Sequence, residues 1–172
     1  MLKQIIALLL VMVLVLVGTL MFTPSASNAK IYTNNPEEYD LQNAMYISFD
    51  GNNISAPGGS AKYAVVGTTL TIAASGVYVL SGASDTANVV VLDNVIDDVT
   101  IILNGLVLSN NTNAPMLFGK NTNVTLVAAA NTENVISDSD RSQNTPLAAI
   151  SSEGSIVITG DGTLTVNGNN KH

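Results

Sequence analysis

Between Val99 and Val166 three short apolar runs occur in the same order twice in full and begin a third time. Val99-Thr100-Ile101-Ile102-Leu103 lies over Val124-Thr125-Leu126-Val127-Ala128 and over Ile156-Val157-Ile158-Thr159-Gly160, with matching alternation throughout. Leu106-Val107-Leu108 lies over Asn134-Val135-Ile136 and over Leu164-Thr165-Val166. Ala114-Pro115-Met116-Leu117-Phe118 lies over Pro146-Leu147-Ala148-Ala149-Ile150. The first runs are spaced by 25 and then 32 residues, the second interval holding an added polar loop from Asp138 to Asn144. One such set cannot bury its own apolar face, whereas stacked sets enclose a continuous column. The expected architecture is therefore all-β, a parallel β-helix of about three strands per coil, each coil about 4.8 Å above the last. Its inward rows are Val99, Val124 and Ile156, then Ile101, Leu126 and Ile158.

The same texture extends upstream through Thr69–Ile72, Val77–Leu80 and Val89–Leu92, each bounded by Gly, Asn, Asp or Ser. Strands of about four residues are expected from Ile47 onward, with no sustained helical stripe. An antiparallel sandwich also yields short alternating strands, but it does not require sets of three in register. After Val166 the third coil stops without its third strand. An uncovered coil end presents unpaired backbone and apolar side chains. The expectation is either a piece of a longer protein or an end covered by a second chain.

Residues 1–29 read as an export signal: Lys3 precedes an apolar run from Ile5 to Phe22, and Ser27-Asn28-Ala29 offers small residues for cleavage before Lys30. The run also approaches the length of a spanning helix, so an uncleaved anchor is the alternative and the only expected contact with a membrane. Residues 30–46 read as a linker or N-terminal cap, and 47–172 as the β-helix domain. Removal of Lys3 with the signal takes the formal charge from −7 to −8. An acidic chain with Arg141 as its sole arginine does not build a phosphate-tracking surface, so nucleic acid is not an expected partner.

The absence of Cys excludes disulfides, thiol nucleophiles and thiolate metal sites, and the single His is the last residue, His172. No Ser–His–Asp set or His-based metal cluster can be assembled, and the chain is not expected to be an enzyme. Arg141 is the one basic residue beside clustered acids, where a local ion pair in a solvated loop accounts for it. Calcium is better served, because it takes six to eight oxygens from carboxylates, amides and carbonyls. Asp138 and Asp140 on the inserted loop are the first candidates, and Asp93, Asp97 and Asp98 before Val99 the second. All five also suit ordinary turns. For sugar recognition the aromatics in or near strands are Tyr63, Tyr78 and Phe118, and an outward ladder is expected along Thr100, Thr125 and Val157, beside Ile102, Val127 and Thr159.

The run Ile47-Ser48-Phe49-Asp50-Gly51, the block Gly76-Val77-Tyr78-Val79-Leu80-Ser81-Gly82, the turn Leu103-Asn104-Gly105 and the closing Gly160-Asp161-Gly162-Thr163-Leu164-Thr165-Val166-Asn167-Gly168 together resemble one bacterial family. It is the family of secreted carbohydrate-binding domain-containing proteins, pectate-lyase-like right-handed β-helices that bind cellulose and acidic polysaccharides such as polygalacturonate. The resemblance spans about Ile47 to Asn169 and implies a longer parent fold, secretion or surface display, and calcium binding without lyase chemistry. Where family members often carry Lys or Asp in the turn after the third strand, this chain has Glu153-Gly154-Ser155. The expected function is thus a secreted, non-catalytic binder of plant cell-wall polysaccharide, with calcium as a candidate cofactor. The alternatives are a pectate lyase or a structural surface adhesin.

Overall fold

Runs that alternate Val, Ile or Leu with Thr or Ser place one set of side chains on each face of an extended chain. A computed structural model describes residues 39–58, 60–139 and 148–169, and in these the alternation becomes thirteen strands with no helix. They are β1 (Met45–Asp50), β2 (Asn53–Ser55), β3 (Tyr63–Val66), β4 (Thr69–Ile72), β5 (Gly76–Ser84), β6 (Asn88–Val91), β7 (Val99–Asn110), β8 (Met116–Phe118), β9 (Asn123–Ala128), β10 (Glu133–Asp138), β11 (Ile150–Ser152), β12 (Ser155–Gly160) and β13 (Thr163–Asn167). The 1–29 leader, residues 30–38 of the linker, Asp140, Arg141 and His172 lie outside the described residues.

Two mixed sheets form. The larger has eight strands along the path β12-β9-β7-β5-β1-β2, with β10 joined to β7 and β13 to β10; the smaller runs β11-β8-β6-β4-β3. Neither sheet closes on itself. Among the described residues only the hairpins β1–β2 and β3–β4 pair antiparallel. Every other ladder is parallel and joins one set of strands to the next.

The stacked register matches the expected rows for the first and second strands. Val99 pairs with Val124 and Val124 with Ile156; Ile101 pairs with Leu126 and Leu126 with Ile158. Val107 pairs with Val135 and Val135 with Thr165. The third strands differ. Met116, not Phe118, stands opposite Ile150. The reason lies in the following turn, which has four residues after β8 and two after β11. A shift of two residues keeps every side chain on its face, so the core tolerates it.

Strand length also departs from the sequence reading. Val99–Leu103 and Leu106–Leu108 are one strand of twelve residues, β7, whose first half pairs with β9 and whose second half pairs with β10. The bend falls at Gly105, whose φ of 72° lies in the left-handed region that glycine tolerates. On the adjoining strand the matching irregularity lies between Leu80 and Gly82. A Cβ at Gly82 would stand 2.1 Å from the Phe49 carbonyl oxygen, so only glycine allows β1 and β5 to approach there.

The core fills the space between the two sheets with Leu70, Tyr78, Leu80, Ile101, Leu103, Met116, Phe118 and Leu126, all essentially without solvent contact. A second, smaller cluster lies on the outer face of the large sheet. Val79, Ile102, Val127 and Ala129 are buried there beneath Tyr39, Leu41 and Ala44. Ile102 and Val127 are therefore not part of an outward ladder. The chain preceding β1 folds over them, anchored by the Tyr46 hydroxyl donating to the Leu41 carbonyl at 3.1 Å. At the far end of the stack the rows emerge into solvent, with Ile156 37%, Val157 57% and Ile158 55% exposed.

Candidate functional site

The outer face of the five-stranded sheet holds a cavity of about 430 Å³. Its floor arises from strand alternation. In β6, Val89 and Val91 point into the core and Val90 points out; in β8, Met116 and Phe118 point in and Leu117 points out. Val90 and Leu117 pair directly and form one row with Thr71 below and Ser151 above. Two residues further along, a second row continues past the strand ends. The Leu92 amide donates to the Ile72 carbonyl at 3.0 Å, the Gly119 amide to Val91 at 2.9 Å, and the Glu153 amide to Phe118 at 3.0 Å. Leu92, Gly119 and Glu153 thus stand one above another. Gly119 leaves a notch in the middle of the row.

The Asp93 carboxylate packs against Gly119 and forms one wall of the notch. A Cβ at Gly119 would come within 2.3 Å of Asp93 Oδ1. The same oxygen accepts the Lys120 backbone N–H at 2.9 Å, which fixes the carboxylate against the turn. Across the opening, Lys120 Nζ lies 3.6 Å from Glu153 Oε2, with both side chains largely in solvent. An exposed pair of this kind adds little to stability, but it places a second carboxylate on the rim. The turns beneath are also stacked: Asn94 and Asn121 both take left-handed φ, and Asn121 Nδ2 donates to Asn94 Oδ1 at 3.0 Å. The result is an aliphatic floor of Val90, Leu92 and Leu117, bordered by oxygen acceptors at Asp93 and Glu153.

Of the candidates read from sequence, Asp93 lies at this notch and the others that the structure describes fall elsewhere. Asp138 is buried at the end of β10 and pairs with Asn110 of β7. Asn110 Oδ1 accepts the amides of Thr112 and Asn113, each at 2.8 Å, and thereby shapes the chain reversal after β7. Asp138 stands on that same row, with its carboxylate accepting the Asn169 amide and its carbonyl the Asn169 side chain. Its proposed companion Asp140 lies outside the described residues. Asp97 and Asp98 are exposed in the turn before β7, and Asp93 belongs to the notch. Among the described residues no three acidic or imidazole side chains converge on one point.

The aromatic candidates are interior. Tyr78 and Phe118 are fully buried, and Tyr63 meets Tyr78 edge to face with centroids 6.5 Å apart. The Tyr78 hydroxyl donates to the Ala74 carbonyl at 2.6 Å, and that of Tyr63 to the Pro57 carbonyl. None of the three offers a flat face to a sugar. Among the described residues the most exposed aromatic is Tyr46, 47% exposed on β1. The Val90, Leu117 and Glu153 grouping does not follow from the repeat alignment, which sets Phe118 rather than Met116 opposite Ile150 and so places the third strands two residues out of step. With Met116 opposite Ile150, Glu153 falls over Gly119 and the notch is visible in the letters.

The described residues thus form an all-β domain of stacked, mainly parallel ladders with an acid-bordered notch on one sheet. Residues 66–172, more than half of the chain, match the carbohydrate-binding domain-containing protein family. The chain belongs to that family. Among solved structures it is similar to the polysaccharide lyase-like protein from C. thermocellum, determined as a gadolinium derivative, with a TM-score of 0.65 and 27% identity. The match covers 74% of this chain and 53% of that one, so the chain spans about half the length of its structural neighbour. No curated protein matches the sequence.

Proposed function

We propose that the chain acts outside the cell as a non-catalytic binder of plant cell-wall polysaccharide, cellulose or polygalacturonate. Its ladders are then successive turns of a right-handed parallel β-helix. The observation that carries this reading is the family match from residue 66 to 172, which takes in every strand from β4 to β13. The stacked in-register rows support the helix, since each coil offers the next an identical edge. The apolar signal run at 5–22 supports export. Calcium is the cofactor of this reading, with Asp138 and Asp140 as its candidate oxygen donors.

The test is retention of the full chain on insoluble cellulose and on immobilised polygalacturonate, with and without chelator. Retention on at least one polymer is expected, and chelator should weaken it if the loop holds calcium. Passage through both columns under both conditions would discard the reading. A second reading, pectate lyase, is prompted by the name of the C. thermocellum neighbour. It requires unsaturated uronate absorbance to rise when the chain is incubated with pectate and calcium, and no rise is expected.

A further inference from the structure

The notch on the five-stranded sheet matches one chemical class of polysaccharide better than another. A pyranose ring with equatorial hydroxyls has two faces made of C–H groups and an edge of O–H donors. The floor of Val90, Leu92 and Leu117 offers aliphatic surface to the former. Asp93 and Glu153 at the border offer acceptors to the latter, and a carboxylate accepting a hydroxyl makes a stronger bond than a neutral acceptor does. Asp93 is held for this by the Lys120 amide, and Gly119 leaves it room.

Charge decides between the polymers. A uronate chain would bring a carboxylate per sugar against Asp93 and Glu153, on a protein of formal charge −7. Like charges a few ångströms apart repel by about 1 kcal/mol per pair even in bulk water. Lys120 is the one cation beside the notch among the described residues, and it is shared with Glu153. A neutral chain meets none of this repulsion.

We propose that the notch bounded by Val90, Leu117, Asp93 and Glu153 is the glycan-binding site and that it selects a neutral, equatorially hydroxylated polysaccharide over a polyuronate. This rests on the carbohydrate-binding reading above and narrows it to one face and one substrate class.

The test is calorimetric titration of the full chain with a soluble cello-oligosaccharide and with oligogalacturonate, in buffer containing chelator. The native chain is expected to bind the neutral oligosaccharide and to ignore the uronate. Leu117→Asp, which places charge on the floor, and Asp93→Ala, which removes a rim acceptor without touching the core, should each weaken binding by about tenfold or more. Val107→Ser, at an exposed position on the other sheet, should leave it unchanged and controls for global effects. Asp93→Ala keeps the test decisive if Leu117→Asp fails to fold. Binding of both notch variants within twofold of the native chain would overturn the site while leaving the carbohydrate-binding reading intact. Binding of oligogalacturonate in preference to the neutral sugar would overturn the selectivity. Absence of binding to either sugar, or to the insoluble polymers, would overturn the parent reading and the site with it.

Discussion

Tyr78 shows how a single side chain ties the interior to solution conditions. Burial, reinforced by the neighbouring Tyr63, pushes its hydroxyl up from the usual 10.0 to about 12. The neutral form is the one the fold accommodates, bonded to the Ala74 and Lys62 carbonyls. In the unfolded chain the group releases its proton near pH 10, whereas in the folded chain it holds it to about pH 12. Its contribution is therefore fully present below pH 10 and falls away as pH rises toward 12. Urea midpoints should decline steeply across that window, and Tyr78→Phe should flatten the decline while lowering stability at neutral pH by about 1 kcal/mol. A midpoint that declines equally in the variant would show that another group governs the alkaline limit. Asn134 makes a comparable case for polar groups. It is fully buried; its Oδ1 accepts the Leu106 amide at 2.9 Å, and its Nδ2 donates to Thr132 Oγ1 and the Thr163 carbonyl. Asn134→Ala leaves those backbone groups unpaired and should cost about 2 kcal/mol in chemical denaturation. A loss below half of that would mean that water replaces the side chain.

At the scale of strands, the two faces of the large sheet differ less than simple alternation implies. Ile101 faces the core and Ile102 faces outward, yet both are fully buried because Tyr39, Leu41 and Ala44 lie over the outer row. Ile102→Ala should then cost about 2–4 kcal/mol, as Ile101→Ala does. Val157→Ser, on the adjacent outward row where it is exposed, should change stability by under about 0.5 kcal/mol. An Ile102→Ala cost as small as that of Val157→Ser would contradict the cover. This also marks where the letters were legible. The rows through Val99, Val124 and Ile156 could be read because each strand repeats the same alternation, and a pattern of period two fixes register wherever one face is buried. The cover over Ile102 could not, since Tyr39-Asp40-Leu41-Gln42 has no period of its own and owes its place to a surface assembled from three strands distant in sequence, β5, β7 and β9. The hairpin strands β2 and β3 were missed for a related reason. Asn53-Ile54-Ser55 is too short to show alternation, and its partner in the β1 hairpin supplies the order. The register of β11 against β8 slipped by two because alanine-rich Ala148-Ala149 matches several alignments equally well.

Across the described residues, parallel rows stack in two open sheets with Leu, Ile, Val and Phe packed between them, and the outer faces of the sheets are treated differently. One is capped by the segment before β1, and the other bears the Asp93–Glu153 notch. The repeats make the parallel rows legible, because stacking places like residues together. The notch was hidden because it is built from the absence of a side chain at Gly119 and from a turn shortened by two residues. The family assignment and the notch meet at one claim, that polysaccharide lies on the five-stranded sheet. The most direct measurement is methyl NMR of the full chain titrated with a soluble neutral glucan. The account predicts that the resonances of Val90, Leu92 and Leu117 shift together and saturate with a single affinity while those of Val107, Val157 and Ile158 stay in place. Shifts confined to the large sheet, with the notch methyls unmoved at saturation, would contradict it.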